Sequence, residues 1–217
     1  MSLILPQLMV PSASVLGMSD SLFTDFKPRT TSESTWTQTG VNFGTPAVGR
    51  ILVVGVMCPN NGGPTVDSMT IGGVTATLAK AAARTGKMFY AVVPAGESGT
   101  VETVFSTAIA NKYLGAWALY GASATQPSAS ATTTTNGGAL GINVLANSFV
   151  CAMSGDEVGT TCTTAGLTED FDDNSAGTTT ASGASDYFAS AVTPQAITMT
   201  MASSAFYRGI SAAFQPA

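Results

Sequence analysis

The chain has no histidine in 217 residues, and charged side chains make up only 10% of it. Histidine is the side chain whose ordinary pKa lies near neutrality, so its absence removes the commonest general base and the commonest metal ligand. Cysteine is scarce as well: Cys58, Cys151 and Cys162 are the whole set. That is not the disulfide framework of a small secreted domain. A cysteine nucleophile needs a base to form its thiolate, and zinc sites draw heavily on histidine, so both chemistries are disfavoured. Cys58 ends an apolar run and reads as a small buried hydrophobe. Cys151 and Cys162 meet only if the segment between them turns back, which spacing does not decide.

Positive charge is also sparse. Eight Lys and Arg stand against thirteen Asp and Glu, a formal net charge of −5. The basic residues are spread from Lys27 to Arg208 and form no patch that would neutralise phosphates, which argues against a nucleic-acid partner. Low surface charge is a solubility risk for a free monomer and suits a subunit that hides surface against neighbours. A modestly acidic soluble protein is the plainer alternative.

Long hydrophobic runs are missing. Hydrophobic residues reach 45% and the mean hydropathy is positive, yet no stretch approaches the roughly 18 uninterrupted apolar residues of a spanning helix. The longest runs, Arg50–Pro59 and Leu114–Ala124, are strand-sized and carry glycine. No membrane insertion is expected.

What is present is Gly, Ala, Ser, Thr and Val in short apolar runs broken by turn residues. Trp36–Phe43 gives the first strand signal. Arg50–Cys58 (RILVVGVMC) and Tyr113–Tyr120 (YLGAWALY) are apolar at both parities, as central strands covered on both faces are. Met69–Ile71 and Val74–Leu78 flank Gly72-Gly73, a hairpin signal because primed turns need positive φ. Lys80–Arg84 has helical propensity but is too short for a stable helix, and reads as a strand extension or a single turn. Thr100–Thr107 alternates with a period of two. Ser123–Gly138 is Thr/Ser-rich and fits a linker, an edge strand of threonines or, best, a surface loop. A second such stretch runs from Gly177 to Gly183. The count is about nine or ten short strands at regular spacing. This predicts an all-β chain, an antiparallel β-sandwich of jelly-roll type. No repeat of 20 to 50 residues and no break in composition separates a second domain, so residues 31–217 read as one sandwich.

Residues 1–30 read as an extended N-terminal arm punctuated by Pro6 and Pro11. No basic residue precedes the apolar Met1–Val10 segment, so it does not have the form of a signal peptide. The arm's apolar residues Leu3, Ile4, Leu5, Leu8, Met9, Val10, Leu16, Leu22, Phe23 and Phe26 are the candidate docking contacts, onto the chain's own sandwich or a neighbouring subunit.

Candidate chemistry is thin. Glu169, Asp170, Asp172 and Asp173, with Asn174, form the densest oxygen cluster, and calcium takes several oxygen ligands from one loop. The spacing is not that of an EF-hand, and a solvated acidic loop is the plainer reading, with calcium the alternative. No other cofactor is implied. Asp156-Glu157 and Glu169–Asp173 supply carboxylates for a glycosidase pair, but the chain has only Trp36 and Trp117 as tryptophans, and Trp117 lies in an apolar strand. Phosphate-loop and nucleophile-elbow patterns are absent. Tyr113, Tyr187 and Tyr207 are candidates for stacking on sugars, with the loops 123–138 and 172–183 beside them. Cross-strand packing is their commoner role.

Four segments carry a resemblance to a family: VNFGTPAVGRILVVGV (Val41–Val56), MTIGGVTAT (Met69–Thr77), YAVVPAG (Tyr90–Gly96) and GISAAFQPA (Gly209–Ala217). In their order the chain resembles small β-sandwich structural proteins of tailed-bacteriophage and prophage virions. The likeness covers much of the chain from about residue 36 and none of the first 35 residues. Its motifs are hairpins and core strands, so no functional residue carries over. It implies a non-enzymatic particle subunit on a capsid, collar or tail, assembled in the bacterial host cytoplasm. Its partners would be copies of itself and other virion proteins. A tail-fibre module binding a host surface glycan or receptor is the alternative.

Overall fold

Ile51–Met57 carries apolar side chains at both parities, and the fold buries both. In the computed structural model, which describes residues 16–59, 65–82, 86–124, 127–174 and 179–217, Leu52, Val54 and Val56 enter one core. Ile51, Val53 and Met57 enter another. A strand alternates its side chains between two faces, so such a strand must be the inner layer of a stack.

The described residues hold eighteen strands and one short 3₁₀ turn, Met18–Asp20. The first nine strands are β1 (Leu22–Arg29), β2 (Glu33–Asn42), β3 (Ile51–Met57), β4 (Val66–Ile71), β5 (Val74–Thr75), β6 (Thr77–Ala82), β7 (Gly86–Val92), β8 (Ser98–Ile109) and β9 (Lys112–Leu119). The second nine are β10 (Ala129–Thr133), β11 (Ile142–Val144), β12 (Ser148–Asp156), β13 (Cys162–Ala165), β14 (Thr168–Asp173), β15 (Thr180–Phe188), β16 (Val192–Gln195), β17 (Thr198–Met201) and β18 (Arg208–Phe214). The fold is all-β, as expected, and its sheets are antiparallel.

The layers follow from the pairing. An outer sheet, β2-β8-β4-β5, covers an inner sheet, β1-β9-β3-β7-β6. Trp36, Phe43, Ile71, Val101 and Phe105 meet Leu52, Val54, Phe89 and Leu114 between them. A second inner sheet, β10-β18-β12-β15-β14, lies against the free face of the first. Trp117, Met57 and Tyr90 there meet Phe149, Met153, Ile210 and Phe214. The ladders β11-β16 and β13-β17 close the far side, where Ile142, Ile197, Met199 and Met201 cover Val150, Ala152 and Ala213. The result is four layers and three cores.

The single sandwich expected for residues 31–217 is therefore two sandwiches packed through their inner sheets, one ending near Ala122 and one beginning near Ser128. The strand order repeats. The first inner sheet, taken in chain order from β1, reads first, ninth, third, seventh, sixth. The second reads β10-β18-β12-β15-β14, the same pattern once β5 is left without a counterpart and β8 is replaced by the pair β16 and β17. Composition gave no boundary because both halves draw on the same small and β-branched residues.

Three local expectations also change. The arm expected over residues 1–30 is shorter: Leu22–Arg29 pairs with β9, Phe23 opposite Trp117 and Phe26 opposite Gly115. Its Thr and Phe residues favour a strand, and β9 offers a free edge. Within the supposed loop 123–138, Ala129–Thr133 is an edge strand on β18. Within Gly177–Gly183, the described part is the start of buried β15. There small residues are required, since a side chain at Gly183 would strike the ring of Phe171. The Gly72-Gly73 hairpin joins β4 to β5 with both glycines at positive φ, and Lys80–Ala82 extends a strand.

Candidate functional site

Trp117 sits at the seam between the sandwiches. Its odd parity on β9 turns it toward the second inner sheet, fully buried, and a buried indole N–H needs an acceptor. Asp170 supplies it: Nε1 donates to Oδ2 at 2.8 Å. Asp170 reaches the seam because β14 bulges between Glu169 and Phe171, and a bulge re-aims the extra side chain. Ser185 Oγ donates to the other carboxylate oxygen at 3.1 Å. Burial pushes the Asp170 carboxyl above the usual range, against the two donors that favour its ionised form. Around this pair stand aromatic rings. Phe26 stacks on Phe171 at 4.3 Å and on Tyr113 at 6.1 Å, and Phe23 meets Trp117 edge-on at 5.9 Å. Tyr113 crosses the same seam, its hydroxyl donating to the Thr179 carbonyl at 2.9 Å.

Four further charged groups brace the strands. Arg50 is fully buried at the mouth of β3. Its guanidinium donates to the carbonyls of Val93, Gly44, Ala95 and Gly96 at 2.8–2.9 Å, so one planar fork joins the loop before β3 to the loop after β7. Lys112 Nζ, also buried, donates to Thr31 O at 2.5 Å and Ile109 O at 2.8 Å, and Glu33 lies 3.3 Å away. Burial pushes the Glu33 carboxyl up, but hydrogen bonds and charges from Arg29 and Lys112 outweigh it and leave the pKa lowered. Asp156, buried at the end of β12, accepts from the main-chain N–H of Val158 and Ala205 and from the Ser204 hydroxyl. Sequence reasoning missed Arg50 and Lys112, and it offered Asp156 only as a candidate glycosidase carboxylate, not as a brace. The available signal was a charge directly abutting an apolar run.

The four candidate metal ligands lie on one edge strand, β14, rather than in a loop. Asp170 faces the seam, and Asp172 accepts the main-chain N–H of Cys162 at 2.9 Å. Burial raises the Asp172 carboxyl, with Cys162 N–H opposing and Asp173 adding to the rise. Burial and Asp172 raise Glu169. The structure thus sends Asp170 and Asp172 to partners on different sides of the strand. Among the described residues, no group of three or more metal-ligating side chains is placed to hold an ion.

Of the arm residues, Leu3, Ile4, Leu5, Leu8, Met9 and Val10 lie outside the described residues. Leu16 packs on the first core, Phe23 and Phe26 on the seam core, and Leu22 is 46% exposed. The phenylalanines are spent inside the chain. Among the tyrosines proposed for sugars, Tyr113 and Tyr207 are buried, at 0% and 2% exposure. Tyr187 packs on the seam core and hydrogen-bonds Asn147 at 2.8 Å. This corrects the reading of three rings free to stack on sugars, since two of them are buried. The three cysteines are unpaired and buried. Cys151 faces the seam and Cys162 the far core, so they lie on opposite sides of one sheet. Burial pushes the Cys58 thiol up to about 12, and it raises Cys151 and Cys162 as well. A thiol held protonated is a poor nucleophile.

The two outward faces are rich in hydroxyls. Across the first outer sheet Thr37 stands opposite Glu102, Glu102 opposite Thr70, and Thr70 opposite Thr75. On the other end Thr163 pairs with Thr200 and Ala165 with Thr198. No family model, curated protein or solved structure matches the chain.

Proposed function

We propose that this chain is a non-enzymatic structural subunit of a tailed-phage particle, a capsid decoration or head- or collar-associated protein. The observation that carries the reading is how the ionisable side chains are used. Arg50, Lys112, Asp156 and Asp170 each tie strands or loops together through several hydrogen bonds. Catalytic sites instead gather such groups around a cleft, with pKa values tuned to proton transfer. A rigid stack with weakly charged, hydroxyl-lined ends suits assembly through broad complementary surfaces. The family resemblance supports the particle, and the apolar Met1–Val10 segment is the docking element.

The test is incorporation. Purified particles from a host expressing the chain are examined by mass spectrometry beside particles made with residues 1–15 deleted. That deletion leaves β1 intact, so folding is checked by circular dichroism. The full chain is expected in the particle in stoichiometric amount, and the truncated chain is expected folded but absent. Absence of the full chain from purified particles rejects the proposal. Equal incorporation of the truncated chain rejects the docking role of its first residues.

A further inference from the structure

The repeated strand order carries an equivalence at single-residue level. β6 bulges between the partners of Phe89 and Met88. β14 bulges between the partners of Ala184 and Gly183. Superposing the two bulges sets Phe89 on Ala184. Phe89 pairs with Val54 and Ala184 with Ala152, so β3 falls on β12 with Ile51 on Phe149, Gly55 on Met153 and Met57 on Gly155. The faces agree: Val54 and Ala152 point to the outer cores, and the other residues point to the seam.

The packing of the inner sheets then has approximate two-fold symmetry. β3 lies against β12, β1 against β15, and β6 against β10 and β18. The lateral order of one sheet is thus reversed over the other. A two-fold axis running along the strands, between β3 and β12, produces this arrangement. It also places each residue of β3 against its own equivalent, as in an isologous dimer. At two consecutive seam positions those equivalents are a glycine and a methionine, in opposite order. A side chain on Gly55 would come within 2.9 Å of Met153 Sδ, and one on Gly155 would strike Met57. Each methionine fills the space its partner glycine leaves.

We infer that the two sandwiches are two copies of one module fused as a dimer, and that the β3–β12 face selects its partner by this exchange of Gly and Met. Pairing the first module with itself sets Gly55 on Gly55 and Met57 on Met57, one hole beside one clash. Pairing the second with itself sets Met153 on Met153 and Gly155 on Gly155. Cavities and overpacking both destabilise, so only the mixed pair fits. The face therefore accepts the other module and disfavours a like one, whether the two are joined or separate.

The experiment uses the full chain with a site-specific protease sequence inserted between Ala124 and Pro127. After cleavage the two fragments are expected to elute together as a 1:1 complex. Separated in denaturant and refolded, they are expected to recombine with each other and to outcompete either fragment's self-association. Gly55→Met in the first fragment is expected to weaken recombination at least about tenfold. Adding Met153→Gly in the second is expected to recover most of that loss. Release of two folded monomers on cleavage overturns the inference. So do failure of the fragments to recombine, self-pairing as tight as mixed pairing, and a double variant no better than Gly55→Met alone. If the Gly55→Met fragment does not fold, the comparison of mixed with self-pairing in the unsubstituted fragments decides.

Discussion

The indole nitrogen of Trp117 and the carboxylate of Asp170 are joined at 2.8 Å across the two sandwiches, although 53 residues separate them in the chain. The bond fixes the lateral position of one inner sheet on the other, since Trp117 is on the central part of the first and Asp170 on the edge of the second. Apolar packing alone is non-directional. This polar bond adds a defined alignment to the seam.

Asp170 should make stability depend on pH. Burial, helped by the charge of Asp186, holds its folded pKa above the ordinary carboxylate value. The protonated form is therefore favoured by folding. Its contribution is fully present below the unfolded pKa and is lost as pH rises through the folded one. Relative to Asp170→Asn, the parent chain is expected to lose stability as pH is raised through that window. Urea unfolding of both chains at a series of pH values measures it. A pH-independent difference would show that burial of the carboxyl is not felt.

Trp117→Phe tests the same bond from the other side. It keeps a ring at the seam and deletes one donor, leaving Asp170 with Ser185. Loss of one partner from a buried group costs about 1–3 kcal/mol. The Asp170→Asn change should cost less in the Trp117→Phe background than in the parent chain. Additive losses in a double-mutant cycle would show that the two side chains do not act on each other.

Arg50 braces the opposite end of the first sandwich. Its four carbonyl acceptors lie in the loop before β3 and the loop after β7, so removing the guanidinium takes a donor from all of them together. Arg50→Met is expected to cost about 2–4 kcal/mol. Arg50→Lys is expected to recover only part of this, because an ammonium lacks the planar fork. Thermal unfolding reads the difference at about 2–4 °C per kcal/mol for a chain of this size. Equal stability of all three chains would assign no role to the latch.

Much of this was legible in the sequence where a pattern has two sides. Arg50–Cys58 and Tyr113–Tyr120 are apolar at both parities and became β3 and β9, the central strands of an inner sheet. Gly72-Gly73 announced its hairpin. The duplication was not legible, because equivalent positions carry unlike residues: Val54 matches Ala152, Gly55 matches Met153. The packing demands complementarity across the seam, and that erases similarity along the chain. Phe23 and Phe26 were read as docking residues because an edge strand and an interface arm show the same apolar spacing. Asp172 and Asp173 looked like a loop because their carboxylates mask the end of a strand, and only the bulge explains why Asp170 turns inward. The buried hydrogen bonds of Arg50 and Asp156 depend on loops that close from far along the chain.

The cysteines give a direct check on burial. All three lie within cores, and the Cys58 thiol is pushed up to about 12. Thiolates react and thiols do not. At pH 8 the native chain is expected to show no reaction with an aromatic disulfide reagent over minutes, and all three thiols on addition of denaturant. Rapid native reaction at Cys151 would mean that the seam between the sandwiches opens.

Gly166 turns β13 into β14 at φ +86°, a conformation that favours glycine. It also lies where a side chain would run into the Ala196 carbonyl, and Gln195 Nε2 donates to the Gly166 carbonyl at 2.6 Å. Gly166→Ala therefore adds backbone strain and forces Ala196 away, disturbing the link between β16 and β17. The expected loss is about 2–4 kcal/mol. Gly40→Ala is the control: φ is +66° there too, but the position opens onto free space, so only the strain of about 1 kcal/mol remains. Chemical denaturation of both variants separates the terms. A loss at Gly166 no larger than at Gly40 would mean that the second outer ladder yields without cost, and that it is held to the stack less tightly than its buried Ile197 and Met199 imply.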